Sequence, residues 1–169
     1  MKINDYILKE IKVFHLQNTV KEAQKTFKNN PITHFPVIDN DILLGNFAEE
    51  DIQIIDNKEE KLIAHSHLLN SFFADEKATV LELLKIFADN DTNIIPVINK
   101  EKKYIGYYDL RDVLDVFSTN PFMIEESETL IIKHHKNDYS MSEVAQIVES
   151  NGGKLLGVYI SERNGENIQ

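Results

Sequence analysis

Two segments of this chain return later at one spacing. Thr19-Val20-Lys21-Glu22 recurs as Thr79-Val80-Leu81-Glu82, and Phe35-Pro36-Val37-Ile38 recurs as Ile95-Pro96-Val97-Ile98, each 60 residues on. Gly45 and Gly106, then Asp51 and Asp112, match at 61, so one residue has entered the turn after the Pro-Val segment, a place where chains tolerate insertion. A sequence that keeps two copies in register over this length is committed to two like units that bury their apolar faces against each other.

Both copies read alike. In Thr-x-x-Glu the hydroxyl and the carboxylate satisfy orphan amides at a helix start. Val20, Ala23 and Phe27 then share one helix face, as do Val80, Leu83, Leu84 and Phe87. The first helix stops near Asn29-Asn30-Pro31, because proline disfavours helical geometry in the residue before it, and the second near Asn90-Asp91. Residues 32–38 and 93–98 are short and β-branched and predict buried strands. Turn chemistry at Asn40-Asp41 and over 99–102 leads into 42–45 and 104–107, which predicts a hairpin in each copy, followed by a second helix. Extended runs at 11–14 and 72–74 complete two strand-helix-strand-strand-helix units whose sheets pack together. The fold class is α+β.

Composition narrows the function. The chain has 169 residues, 42% of them hydrophobic, which is enough for a packed core. It has no cysteine, hence neither disulfides nor thiolate metal sites. The net charge of −10 argues against nucleic acid and anionic membrane partners. No secretory signal pattern opens the sequence, and no run reaches the roughly 20 apolar residues of a membrane span. The expectation is a soluble, cytoplasmic chain.

The capped helix, the hydrophobic-Pro-Val strand and a Gly-to-Asp segment opening the last helix, present twice over about residues 8–117, resemble the cystathionine-beta-synthase (CBS) domain family. The units expected are 1–58 and 59–118, joined by a linker at 119–127 to a further unit at 128–169. The resemblance implies a pseudo-twofold pair that binds adenine nucleotides in its clefts and dimerises into a disc.

The family's pattern at the last helix is Gly-x-x-Ser/Thr-x-x-Asp, whose hydroxyl and carboxylate would hold the two ribose hydroxyls. Asp51 and Asp112 match the acidic position. The hydroxyl position holds Ala48 in the first copy and Asp109 in the second, and a carboxylate can still accept from a diol. The resemblance further implies Thr33 and His34, and Asn93 and Ile94, as cleft-lining positions. For a charged ligand the nearby cations are Arg111, Lys21, Lys103 and a protonatable His34. The candidate ligand-binding residues are therefore Asp112, Asp109, Asn93 and Arg111, with a poorer site at Asp51, Thr33 and His34. Asp51 and Asp112 are equally readable as helix-start residues stabilised by the helix dipole.

After Phe117, Ser118-Thr119-Asn120-Pro121 reads as a linker. Residues 129–134 predict a strand, Ser140-Met141-Ser142-Glu143 a capped helix ended by Asn151-Gly152-Gly153, and 154–160 a second strand. Residues 161–167 read as a turn heading into a missing strand. Strand-helix-strand of this kind resembles the opening half of an ACT-type ferredoxin-like domain, either cut short, the reading favoured here, or completed by a partner strand. Asp138-Tyr139-Ser140-Met141 lacks the glycine of the amino-acid-binding Asp-x-x-Gly loop. The arrangement is similar to the acetoin-utilisation protein B type.

Enzyme motifs are absent. There is no Gly-x-Ser-x-Gly elbow, phosphate-cradling glycine loop or His-Glu-x-x-His helix. His65-Ser66-His67 has the spacing of a strand face and no third ligand near it, and adjacent His134 and His135 point apart on a strand. Glu49-Glu50-Asp51 reads as favourable charge at a helix start. The reading is a non-catalytic, homodimeric module that senses an adenosine-containing ligand, an adenine nucleotide or S-adenosylmethionine, with no resident cofactor. A ligand-free dimerisation or interaction scaffold is the alternative, and a histidine-based metalloenzyme the third.

Overall fold

Both Thr-x-x-Glu motifs start helices. The computed structural model describes residues 3–135, 140–164, 167 and 168, in two compact units, Met1–Phe117 and Ser118–Gln169. A 3-10 turn at Ile3–Tyr6 precedes α1 (Val20–Asn29), β1 (His34–Asp39), β2 (Ile42–Ala48) and α2 (Glu49–Gln53). A 3-10 helix, Leu62–Leu68, leads to β3 (Ala74–Asp75), α3 (Val80–Asp89), β4 (Ile94–Ile98), β5 (Tyr104–Asp109) and α4 (Leu110–Ser118). At Thr19 and at Thr79 the capping box closes in both directions, and the backbone amides of these threonines hold the Glu22 and Glu82 carboxyls below the usual range.

Each repeat is a hairpin with a third strand beside it. Phe14 bridges Val37 of β1 in parallel, and β3 runs parallel to β4 with Ala74 opposite Val97. Both hairpins carry a bulge at the same place, where the register slips between Val37 and Ile38 and again between Val97 and Ile98. Asn40 and Asp41 both have positive φ, 47° and 67°, and make the two-residue turn of the first hairpin. The second hairpin absorbs the inserted residue in a wider turn, in which Asn99 Oδ1 accepts from the amides of Glu101 and Lys103, each at 2.9 Å.

The two cores use equivalent positions with compensating sizes. Phe14, Ala23, Phe35, Phe47 and Ile52 in the first correspond to Ala74, Leu83, Ile95, Tyr108 and Val113 in the second, all buried. Loss of the Phe14 ring at Ala74 is matched by growth of Ala23 into Leu83, which keeps interior density close to constant. In the first repeat Phe35 packs against Phe14, Phe27 and Phe47, with ring centroids 4.4, 4.7 and 5.9 Å away.

Each repeat borrows its outer sheet edge from the segment that leads into the other. Leu8 pairs with Tyr107 of β5 through amide bonds of 2.8 and 2.9 Å, while Asn70 pairs with Asn46 of β2 at 2.8 and 2.9 Å. Residues 3–8 precede the first repeat yet complete the second, so Ile3, Tyr6 and Ile7 pack on the second core. This exchange requires the two glycines. Gly106 has φ +145°, and a Cβ there would collide with the Leu8 carbonyl oxygen and lie 2.5 Å from Ile7 Cγ2.

The second unit has its own three-stranded antiparallel sheet. After α5 (Pro121–Ile124) come β6 (His134–His135), α6 (Met141–Ser150), β7 (Arg163–Asn164) and β8 (Asn167–Ile168), in sheet order β6-β8-β7. The strands differ from those expected. Of the first run only His134 pairs, together with His135 beyond it, residues 154–160 form no strand, and Arg163–Asn164 and Asn167–Ile168 supply the partners instead. A strand is defined by its partner edge, and β6 offers an edge two residues long, which β8 already occupies. The cap at Ser140 is present, its Oγ accepting from the Glu143 amide at 3.4 Å. Asp138 and Tyr139 lie outside the described residues.

Gly106→Ala is expected to lower stability in chemical denaturation by roughly 1–3 kcal/mol through backbone strain and overlap. Gly45→Ala is expected to cost less, since its nearest neighbour would be the Asn70 carbonyl oxygen at 3.0 Å. Equal losses would show that the residue 3–8 segment is not held against β5.

Candidate functional site

The expected site residues gather at the start of α2 and at the start of α4. On β1 and β2, alternation sends Phe35, Val37 and Phe47 into the first core and turns His34, Pro36, Asn46 and Ala48 to the other face. The equivalent face of the second repeat carries Ile94, Pro96, Tyr107 and Asp109. Ile94 and Tyr107 join the first repeat's core cluster, so the two sheets meet through these faces. The candidate clefts lie beside that meeting.

At the first cleft, the Glu49 amide opening α2 donates to the Thr33 carbonyl at 2.8 Å, which sets Asp51 beside the end of β1. His34 is 8% exposed, its Nδ1 lies 3.0 Å from Thr33 Oγ1, and its ring stands edge-on to Phe72 at 5.2 Å. Burial pushes its pKa below the ordinary 6.5, against the upward pull of Asp51 and Asp91. The imidazole is thus a neutral hydrogen-bonding group at pH 7, not the cation a phosphate would need.

At the second cleft, the Leu110 amide opening α4 donates to the Asn93 carbonyl at 3.0 Å, which places Asp112 as its counterpart is placed. Asp109 Oδ1 accepts from the Arg111 amide at 2.8 Å, so one of its oxygens is already engaged in capping. The Arg111 side chain is exposed. Asp112 is surrounded by like charge. Desolvation first, and then Asp109, Asp115 and Glu10, raise its carboxyl above the ordinary 3.8. Tyr107 donates to Glu10 Oε2 at 3.5 Å, and burial foremost, with Glu10 and Asp109, pushes its phenol up to about 12.

The residues on the two sides of the pseudo-twofold bond to each other. Thr33 N donates to Asn93 Oδ1 at 2.9 Å, Asn93 N donates to Thr33 Oγ1 at 3.1 Å, and Asn93 Nδ2 donates to the Pro31 carbonyl at 2.6 Å. Of the other cations considered, Lys21 pairs with Glu59 Oε1 at 3.1 Å on an exposed surface. An open groove lined by Asp75, Lys77, Glu82 and Lys85 runs along α3 and contains none of the candidates.

Sequence reasoning missed Glu10, Asp91, Asp115 and Phe72 as neighbours of the clefts. Glu10 follows directly on the exchanged segment 3–8 and meets the Tyr107 hydroxyl, and no local pattern assigns it to the second repeat. Asp91 sits at φ 45° in the turn before β4, and its Asn90-Asp91 turn chemistry was the available signal. His65 and His67 lie on the 3-10 helix Leu62–Leu68, not on a strand face. The apolar Leu62 anchors that helix in the first core, and His65 Nε2 meets Glu60 Oε2 at 3.0 Å. Among the described residues no group of three or more His, Asp or Glu is placed to hold a metal ion, and no helix is long and apolar enough to cross a membrane.

The model of the family described as CBS domain matches residues 3–54 and again 67–119. An uncharacterised protein of Methanocaldococcus jannaschii is 28% identical over 121 residues, covering 70% of this chain and 40% of that relative. The chain thus spans less than half of that relative's length. The crystal structure of a CBS domain pair/ACT domain protein from Thermotoga maritima superimposes with a TM-score of 0.61 at 19% identity, over 69% of this chain and 96% of that one. The crystal structure of CBSX2 in complex with AMP gives 0.56 at 19%, over 69% and 95%. At these identities the structures establish the fold.

Two measurements follow from the cleft electrostatics. The folded protein holds His34 neutral, while the unfolded chain protonates it near 6.5, so below that pH the folded state binds fewer protons and stability falls as pH drops. In His34→Gln, denaturation free energy is expected to fall less between about pH 7 and pH 5 than in the parent. An unchanged slope would remove His34 as its source. For Asp112 the sign is opposite: a raised pKa means that ionisation opposes folding as pH rises. Asp112→Asn is expected to melt higher than the parent at neutral pH and low salt, with the gain shrinking as salt screens the cluster.

Proposed function

The chain belongs to the CBS domain family, and from that premise we propose that it is a non-catalytic regulatory module that binds a small adenosine-containing ligand and dimerises. The observation that supports this most is the equivalent placement of Asp51 and Asp112, each on a helix whose first amide is tied to the cleft residue of its own repeat. Two carboxylates so placed are acceptors for vicinal hydroxyls. The AMP complex of CBSX2 shows that a neighbour of this fold takes an adenine nucleotide.

Asp112 and Asp109, with Asn93 at the edge and Arg111 outside, form the second site. Asp51, Thr33 and His34 form the first. Crowded carboxylates at Asp112 oppose a triphosphate and favour a ligand with little negative charge, such as adenosine, AMP or the cationic S-adenosylmethionine. Binding would bias the relative position of the two repeats by its differential affinity for one arrangement. The C-terminal unit is read as the opening part of an ACT-type domain, and the whole as a soluble cytoplasmic homodimer. The scaffold reading is favoured by one observation: Thr33 and Asn93 already satisfy each other across the repeats.

The test is thermal melting with adenosine, AMP, ADP, ATP and S-adenosylmethionine. A ligand at about 100 times its dissociation constant adds roughly 2.7 kcal/mol of stability. A shift is expected from a ligand of low negative charge, reduced in Asp112→Ala, with a smaller reduction in Asp51→Ala. No shift with any of the five would support the scaffold.

A further inference from the structure

We infer that Thr33 and Asn93 form a clasp that couples the two clefts, so that movement at the start of α2 is passed to the start of α4 and back. The path is continuous in hydrogen bonds. The Glu49 amide, two residues before Asp51, donates to the Thr33 carbonyl at 2.8 Å. Thr33 in turn donates its amide to Asn93 Oδ1 at 2.9 Å and accepts from the Asn93 amide through Oγ1 at 3.1 Å. The Asn93 carbonyl accepts from the Leu110 amide at 3.0 Å, two residues before Asp112. Both residues of the clasp are half-buried, and Thr33 Oγ1 also lies 3.3 Å from Thr92 Oγ1.

The chemistry needs a hydroxyl on one side and a carboxamide on the other. Thr33 Oγ1 takes the Asn93 amide proton, and Asn93 Oδ1 takes the Thr33 amide proton, which closes a ring across the pseudo-twofold. The carboxamide's remaining Nδ2 is fixed by the Pro31 carbonyl at 2.6 Å, so the ring cannot turn without moving the end of the α1–β1 connection. The clasp therefore breaks the symmetry of the repeat where the two copies touch. It rests on the proposed ligand sites only for its regulatory meaning; the mechanical coupling stands without ligand.

Amide hydrogen exchange on the ligand-free full chain tests it. Asn93→Ala, a change in the second repeat, is expected to speed exchange of the Glu49 amide in the first by roughly fivefold, the equivalent of about one neutral hydrogen bond. Thr33→Val should speed the Leu110 amide of the second repeat similarly, and Thr33→Ser, which keeps the hydroxyl, should leave it at the parent rate. The amides of Ala23 and Leu83, in α1 and α3, should not change. If each variant affects only amides of its own repeat, or if Ala23 and Leu83 accelerate equally through general destabilisation, the clasp is overturned. Calorimetric titration of adenosine, AMP, ADP, ATP and S-adenosylmethionine then reads the regulatory consequence separately. Absence of binding in the parent removes the ligand reading and leaves the exchange result standing.

Discussion

Everything in the first unit depends on the two backbone bridges that exchange sheet edges. Leu8 completes β5 and Asn70 completes β2, so neither repeat has a full sheet without the chain that introduces the other. A half-unit of about sixty residues is marginal by itself, since it buries a smaller share of its surface than the pair. The exchange removes two exposed strand edges at once and makes the pair one folding problem. It also explains why Gly45 and Gly106 recur: each sits one residue before a bridge, at φ +152° and +145°, where a side chain would meet the incoming backbone.

Backbone symmetry frames a chemical asymmetry. Both clefts are built from the same turns, and both helices start against the same carbonyl position. The first presents a buried neutral imidazole against Phe72, whereas the second presents Asp109, Asp112 and Glu10 around a buried tyrosine. Desolvation and the neighbouring charges of Asp109, Asp115 and Glu10 oppose ionisation of Asp112.

The C-terminal unit follows a different logic. Its helix α6 buries none of its residues, and Leu130, Ile131, Val158 and Tyr159 are exposed. Its sheet order is β6-β8-β7, with β8 inserted between β6 and β7. Periodicity placed the second strand at 154–160 because that run is apolar and follows a double glycine. Pairing placed it later, because a strand forms where a partner edge exists.

Local chemistry in the sequence determined most of the first unit. Capping boxes, the Pro-Val strands, turn residues and the offset of 60 residues fixed which elements form, in what order and twice over. Those signals act between residues near in sequence, so they survive reading one residue at a time. The placement of Asp51 and Asp112 was legible for the same reason, because each lies on a helix announced by its own glycine. Only the tertiary structure decided that residues 3–8 belong to the second repeat, that Glu10 crowds Asp112, and that Thr33 and Asn93 bond to each other. These depend on which surfaces meet when two copies pack, and contacts of that kind are set by the balance of burial and pairing over the whole unit.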